Sequence, residues 1–350
     1  MTPRYRILLA ALGAALIAAT AARAELTFPV NDAAGVFDQP SVAMSGATAH
    51  VAFIGAAGPA GPFRVYYAAV NSGVDFTNTA LARASIFVTP PGIVDNTDLA
   101  GNDPYYDARH PAIAVRSATE AVIFFQARPS GPSDPYALYR ARVRLDNNAV
   151  VEQRVNRVLD IAPGEVEDVS FALVGADNTA TARVAYATRI APTDPFDISF
   201  ARVGLDNAQA ATPVAVTTVA TFPLARGFRP VPSLKLDDQN RAHIAWAATD
   251  DTGAASGPVY YAMVKETGGV DNMVIAPTPI MTREFMRYSF PSLLVLGTSS
   301  IAVFAGDEID GNLAYVQLNP DAARQDGRPA WDNLGTFGSF LLVPPGEAIL

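Results

Sequence analysis

An all-β chain made of tandem four-stranded units is predicted by three observations. The first is repetition: AHIAWAA (242–248) nearly restates AHVAFIG (49–55), with related forms at AVIFFQA (121–127), ARVAYAT (182–188) and SIAVFAG (300–306). The second is company, since each of these five segments has a further short apolar segment before it and another after it. The third is composition. The segments are rich in Val, Ile, Tyr and Phe and are bounded by Gly, Pro, Asp or Asn, and helical periodicity is absent beyond the N-terminal run; these are strand and turn signals.

Taken in chain order within each unit, the first strand is PSVAM (40–44), PAIAV (111–115), VSFAL (169–173), PSLKL (232–236) and PSLLV (291–295). The second is the repeat itself, with an aromatic at its fifth position: Phe53, Phe125, Tyr186, Trp246 and Phe304. The third is RVYYAAV (64–70), ALYRARV (137–143), DISFARV (197–203), PVYYAMV (258–264) and NLAYVQL (312–318). A weaker fourth is clearest in SIFVTPPG (85–92) and SFLLVPPG (339–346). Many segments are apolar on both faces with alanine mixed in, as sheets covered on both sides require. Such units in tandem predict a five-bladed β-propeller of four-stranded antiparallel blades. Equivalent positions recur at about 55–73 residues, longer than the usual blade of some 40–50, so several loops must be extended. Five repeats use up the 326 residues from Glu25 to Leu350, which predicts one domain over 25–350. LTFPV (26–30) is expected to pair with the last blade.

Residues 1–24 carry a different signal. Arg4 and Arg6 precede an apolar run from Ile7 to Ala19, and Ala22-Arg23-Ala24 supplies small residues for cleavage. This is the pattern of a signal peptide, and the run is short for a membrane span. Export to the periplasm or beyond is expected, with no membrane span in the mature chain. Beyond residue 24 there are 22 basic and 34 acidic residues, a formal charge of −12. That charge argues against nucleic acid or an anionic membrane as partner. The chain has no cysteine, which removes disulfides, thiolate catalysis and Cys-ligated metals. No cofactor is expected, calcium being the one candidate.

The order P-S-apolar-x-apolar, then A-H-apolar-A-aromatic, then V-Y-Y-A resembles the repeats of exported bacterial β-propellers of the sialidase-like, or BNR-repeat, group. The resemblance covers all five units and implies fold more than activity. The aspartate box of that group, Ser-x-Asp-x-Gly-x-Thr-Trp, is absent. RHPAI (109–113) and FRPVPSL (228–234) are similar to the sialidase motif Tyr/Phe-Arg-Ile-Pro-x-Leu. That similarity implies a carboxylate clamp of Arg109, Arg229 and Arg287, with Tyr288 close by and Asp107 as acid.

A propeller gathers its fourth-to-first and second-to-third strand loops on one face, around a central funnel. The first-to-second turns, such as SGAT (45–48) and DDQNR (237–241), are short, so a site is expected among the elaborated loops. The longest, PGIVDNTDLAGNDPYYDARH (91–110), mixes acids and aromatics (Asp107, Tyr105 and Tyr106 among them) with Arg109 and His110, a set suited to a sugar or small polar ligand. Residues leading into the first strands ring the same mouth: Asp38, Arg109, His110, Glu167, Asp168, Arg229, Arg287 and Tyr288. They differ from blade to blade where the scaffold repeats. His50 and His243 share one repeat position and are expected to be scaffold, hydrogen-bonded between blades. The loop GDEIDGN (306–312) offers oxygen ligands for calcium in Asp307, Glu308, Asp310 and Asn312.

No Gly-x-Ser-x-Gly or His-Glu-x-x-His occurs. The leading expectation is a binding or scaffold module that presents its loop face to a glycan, small ligand or protein. The alternative is a glycan-processing hydrolase, sialidase-like or other, with Asp38 and Asp168 as the carboxylate pair.

Overall fold

Each repeat folds as a sheet in which every strand pairs antiparallel with its sequence neighbour. The structure, a computed structural model, describes residues 36–56, 61–71, 87–94, 105–147, 149–159, 165–174, 181–189, 197–205, 217–221, 231–247, 258–267, 270–281, 288–307, 313–323 and 329–337. The first sheet holds β1 (Val36–Ser45), β2 (Thr48–Ala56), β3 (Arg64–Asn71) and β4 (Phe87–Ile93). The second holds β5 (Asp107–Ser117), β6 (Glu120–Arg128), β7 (Ala137–Asp146) and β8 (Ala149–Leu159). The third holds β9 (Glu165–Val174), β10 (Thr181–Arg189), β11 (Asp197–Gly204) and β12 (Thr217–Thr221). The fourth holds β13 (Ser233–Leu236), β14 (Ala242–Ala247), β15 (Val259–Thr267) and β16 (Val270–Met281). The fifth holds β17 (Tyr288–Val295), β18 (Ile301–Asp307), β19 (Leu313–Ala323) and β20 (Pro329–Phe337). No helix occurs among the described residues. The fourth strand of the fifth sheet is therefore 329–337; the segment 339–346 expected there lies outside the described residues, as does 26–30.

The chain divides into two compact units, one carrying the first two sheets and the other the remaining three. In the first unit the core runs through Ala52, Val65, Tyr67, Ile123, Phe125, Tyr139 and Val155. In the second, one cluster forms around Ile198, Phe200, Ile244 and Trp246, and another around Tyr261, Met263, Leu293, Val303 and Val316.

The repeated sequence earns its regularity in the second strands. β2, β6 and β10 are buried at nearly every position, on both faces, and alanine at 52, 121, 185 and 245 lets covering layers approach. Register places the repeat aromatic directly opposite a third-strand residue: Phe53 opposite Tyr66, Phe125 opposite Tyr139, Trp246 opposite Tyr260 and Phe304 opposite Tyr315. All four pairs stack, with centroids 5.4, 5.6, 5.8 and 6.1 Å apart, and cross-strand aromatic pairs of this kind add to sheet stability. The third sheet departs from the pattern, because Ser199 stands opposite Tyr186.

Neighbouring sheets within a unit are joined by a device that the sequence displays without announcing. The serine of the P-S or V-S pair accepts a hydrogen bond from the next sheet's first strand. Ser41 Oγ takes Ile113 N–H (3.1 Å), Ser170 Oγ takes Leu234 N–H (2.9 Å) and Ser233 Oγ takes Leu293 N–H (3.3 Å). A first strand lies at its sheet's edge, so those N–H groups have no ladder partner of their own.

His50 and His243 are completely buried, and each bonds within its own sheet. Their Nδ1 atoms lie 2.7 Å from the Tyr67 hydroxyl and 2.6 Å from the Tyr261 hydroxyl, respectively. The expected bond between blades is thus corrected: the second tyrosine of V-Y-Y-A sits diagonally across from the histidine on the adjacent strand, the nearest polar group that strand pairing can offer. The position is filled in the third sheet by Arg183, and that residue does reach across, to Glu266 and to Asp271 at 3.5 Å in the fourth sheet.

Candidate functional site

The first strands do not run straight into their sheets. Pairing shifts register between Asp38 and Ser41 in β1 and between Arg109 and Ala112 in β5. Similar shifts occur opposite Tyr186/Ala187, at Asp168 in β9, and between Ser289 and Ser292 in β17. Bulges of this kind bend a strand and re-aim its side chains, and they are over-represented beside active sites. Asp38, Arg109, His110, Glu167, Asp168 and Tyr288, picked from the sequence as strand lead-ins, therefore belong to the strands themselves, at or next to their bulges.

In the first unit two bulges meet. Gln39 and His110, each preceding a proline, take φ values of +54° and +48°. Left-handed backbone is costly for residues with a side chain and persists where surrounding structure enforces it. Here the two hold each other, because the His110 N–H donates to Gln39 Oε1 at 2.5 Å.

Behind His110 stands Gln126 of β6, fully buried. Its Oε1 accepts from Arg109 Nε–H at 3.1 Å and lies 3.1 Å from His110 Nδ1. Its Nε2, also buried, has no hydrogen-bond partner. Gln126 escaped the sequence reading, although a usable signal was present. The sixth position of the repeat is Ile54, Ala187, Ala247 and Ala305 in the other sheets, so a polar residue there breaks its own repeat.

Beside this cluster, the Arg109 guanidinium lies 3.5 Å from the centre of the Tyr136 ring, and that of Arg128 lies 4.6 Å from the same centre. The Tyr136 hydroxyl donates to Asp107 Oδ2 at 2.7 Å, and Asp107 Oδ1 accepts the Phe63 N–H at 2.8 Å. Burial, then the hydrogen bond to Asp107, pushes the Tyr136 hydroxyl up to about 12. Asp107 thus spends both oxygens tying the second sheet to the segment that enters β3. An acid so engaged is a brace rather than a proton donor. Tyr105 is likewise structural: it is buried, its hydroxyl donates to Val94 O at 2.6 Å, and its ring meets Phe125 edge-on at 5.1 Å.

Of the remaining sequence candidates, Arg229, Arg287, Glu308, Asp310 and Asn312 lie outside the described residues. For Asp38, Asp168, Tyr288 and Asp307 the backbone alone is described. Among the described residues no group of three His, Asp or Glu side chains is placed to hold a metal ion.

The second unit holds a polar network centred on the buried Asp237, Arg241 and His243. Asp237 accepts from the Arg241 side chain (2.5 Å), from Arg241 N–H (2.9 Å) and from Gln239 N–H (2.9 Å). His243 Nε2 lies 3.2 Å from the same carboxylate, and Arg241 continues to Asp321 in β19. An Asp–His–Tyr line of this sort suggests acid–base work, yet Asp237 and His243 side chains are wholly inaccessible. The line serves to anchor the first-to-second turn of the fourth sheet to the fifth.

Five tandem four-stranded antiparallel sheets define the class of this chain as all-β, of the five-bladed β-propeller group. No family model matches the sequence, and no curated protein matches it. Among solved structures, the chain is similar to a GH62 hydrolase in complex with xylotriose (11% identity, 86% of this chain and 90% of that one, TM-score 0.39). It is similar also to Bacillus subtilis levansucrase (7% identity, 87% of each chain, TM-score 0.46) and to an endo-arabinase from Bacteroides thetaiotaomicron (10% identity, 85% and 93%, TM-score 0.45). At these values the likeness assigns no activity to this chain. The β-propeller group stands without the narrower sialidase-like assignment.

Proposed function

We propose that the protein is an exported, carbohydrate-recognising β-propeller whose ligand site lies in the first unit at Gln39, Arg109, His110 and Gln126. The observation that carries this reading is the Gln126 amide. A buried, unpartnered N–H group costs about 1–3 kcal/mol, and this one lies behind two half-buried side chains on a strained bulge. Guanidinium, imidazole and carboxamide together suit the many hydroxyl and ring oxygens of a sugar. Export follows from the N-terminal pattern of residues 1–24.

The test is calorimetric titration of the mature protein with xylotriose, cellotriose, sucrose and a uronic acid trimer. Binding by at least one of them, weakened about tenfold or more in Gln126→Leu and Arg109→Ala, is the expected outcome; a tenfold loss corresponds to about 1.4 kcal/mol. A flat response to the whole panel sinks the reading.

A second reading, glycan hydrolysis, draws on the strand register, in which residue Asp38 of β1 stands where Arg109 stands in β5 and residue Asp168 lies at the bulge of β9. Glycoside cleavage uses carboxyl groups as acid, base or nucleophile, and each of these two is tested by itself. Reducing-end assays on the same panel separate it from binding alone. Turnover abolished by Asp38→Asn or Asp168→Asn favours the hydrolase, and binding without turnover rejects it.

A further inference from the structure

The second sheet sets two polar rungs on one face. Register places Arg109 opposite Gln126 and Asp107 opposite Arg128, and residues two apart on a strand point to the same side. The second rung joins an acid and a base that do not pair. Asp107 gives Oδ1 to the Phe63 N–H and Oδ2 to the Tyr136 hydroxyl. Arg128 lies over the Tyr136 ring, 4.6 Å from its centre, and donates from Nη1 to Pro132 O. The acid in the loop beyond it, Asp134, gives Oδ2 to the Ser130 and Gly131 N–H groups. Arg128 thus forms an ion pair with no acid among the described residues. Its Nε is buried without a partner, whereas Nη2 takes no partner among the described residues and is not buried. The side chain therefore offers solvent a permanent charge and unused donors.

We infer that Arg128 is the recognition group for a carboxylate, so that the sugar taken by the site is a uronic acid residue and not a neutral one. The inference deepens the carbohydrate reading and rests on it for the sugar, but capture of a carboxylate by Arg128 does not depend on the sugar. Three features converge on the guanidinium. The Tyr136 ring holds it in place before any ligand arrives, which lowers the ordering cost of binding. A second guanidinium, that of Arg109, lies 3.5 Å from the centre of the same ring. Two like charges gathered at one phenol repel, and an anion beside them relieves that repulsion. Finally, planar N–H donors match the two oxygens of a carboxylate, and a hydrogen bond to an ionised oxygen is stronger than one to a hydroxyl or ring oxygen.

The experiment compares xylotriose with a uronic acid trimer by calorimetric titration of the full mature chain, near neutral pH and at low ionic strength. The acidic trimer should bind at least about tenfold more tightly, as a hydrogen bond gained to a charged group allows, and the ratio should shrink as salt is added. Arg128→Gln, whose amide can still donate to Pro132 O, should bring the ratio close to one. Arg128→Lys, which keeps the charge but not the planar fork, should leave part of it. Equal binding of the two trimers by the parent, or a preference that survives Arg128→Gln, overturns the inference. If neither trimer binds, the carbohydrate reading fails, and sodium acetate is titrated at constant ionic strength while the arginine Nε–H resonances are followed. Arg128→Lys identifies the Arg128 signal by its loss. A shift of that signal with acetate keeps the carboxylate site without the sugar, and an unmoved signal overturns both.

Discussion

Asp107 shows how a residue that reads as chemistry in the sequence can turn out to be a brace. It lies three residues before His110 in an acidic, aromatic loop, which suggests an acid–base pair. Its two oxygens, however, take the Phe63 N–H and the Tyr136 O–H. Asp107→Ala should therefore lower stability by about 1–3 kcal/mol, the cost of leaving a partly buried donor without its acceptor. Urea unfolding checks this; a variant of unchanged stability would return Asp107 to the list of free acids. Gln126 is the reverse case. The rule that a residue breaking its own repeat marks a site applies to it as fully as to Arg109 and His110. It lies within an apolar strand, though, where a lone polar residue draws little notice until its neighbours are placed. The pairing of Tyr136 with Asp107 and Arg109 could not be read at all, since it depends on a loop returning across 29 residues.

At the scale of strands, the fold was largely legible because one physical pattern is written five times. The second strands recur as continuous apolar runs, and the aromatic at their fifth position meets a tyrosine in four of the five sheets. The weak fourth strands were less so: an edge strand with one partner needs less hydrophobic sequence, and in the fifth sheet the polar-rich PAWDNLGTF at 329–337 pairs with β19. What no strand pattern could reveal is the serine latch. Ser41, Ser170 and Ser233 look like turn residues at a strand start, yet each satisfies an edge N–H of the next sheet. The second sheet has Ala112 at the equivalent position. Ser170→Ala leaves the N–H of Leu234, a residue 1% exposed, without an acceptor. The expected loss is about 1–3 kcal/mol in unfolding free energy, with faster exchange of the Leu234 amide hydrogen. Unaltered exchange there would show that the latch contributes nothing to joining the sheets.

For the molecule as a whole, acid is the condition that should find its weak points, and it should find them in two stages. Burial holds His50 below the ordinary 6.5, and burial likewise lowers His243 against the opposing pull of Asp237. Above pH 6.5 both rings are neutral whether the chain is folded or unfolded, so they make no pH-dependent contribution. As pH falls below 6.5 the unfolded chain takes up protons that the folded one refuses, and stability declines. His50 is the more exposed to this effect in physical terms, because its Nε2 is buried without a partner while His243 has Asp237 beside it. The second stage belongs to the carboxylates of the second unit. Burial works to raise Asp237, but hydrogen bonds from the Arg241 side chain and backbone, from His243 and from Gln239 outweigh it and hold the carboxyl below 3.8. The hydrogen bond from Arg183, against a smaller opposing effect of burial, holds Glu266 below 4.5. Their stabilisation is complete above those values and is lost as pH drops through the depressed ones. The urea midpoint should thus fall gently below pH 6.5 and steeply below about pH 4. His50→Gln, which can keep a bond to the Tyr67 hydroxyl, should flatten part of the first decline, and His50→Gln with His243→Gln should remove it while leaving the second. A first decline that persists undiminished in the double variant would mean that the buried histidines are not its source.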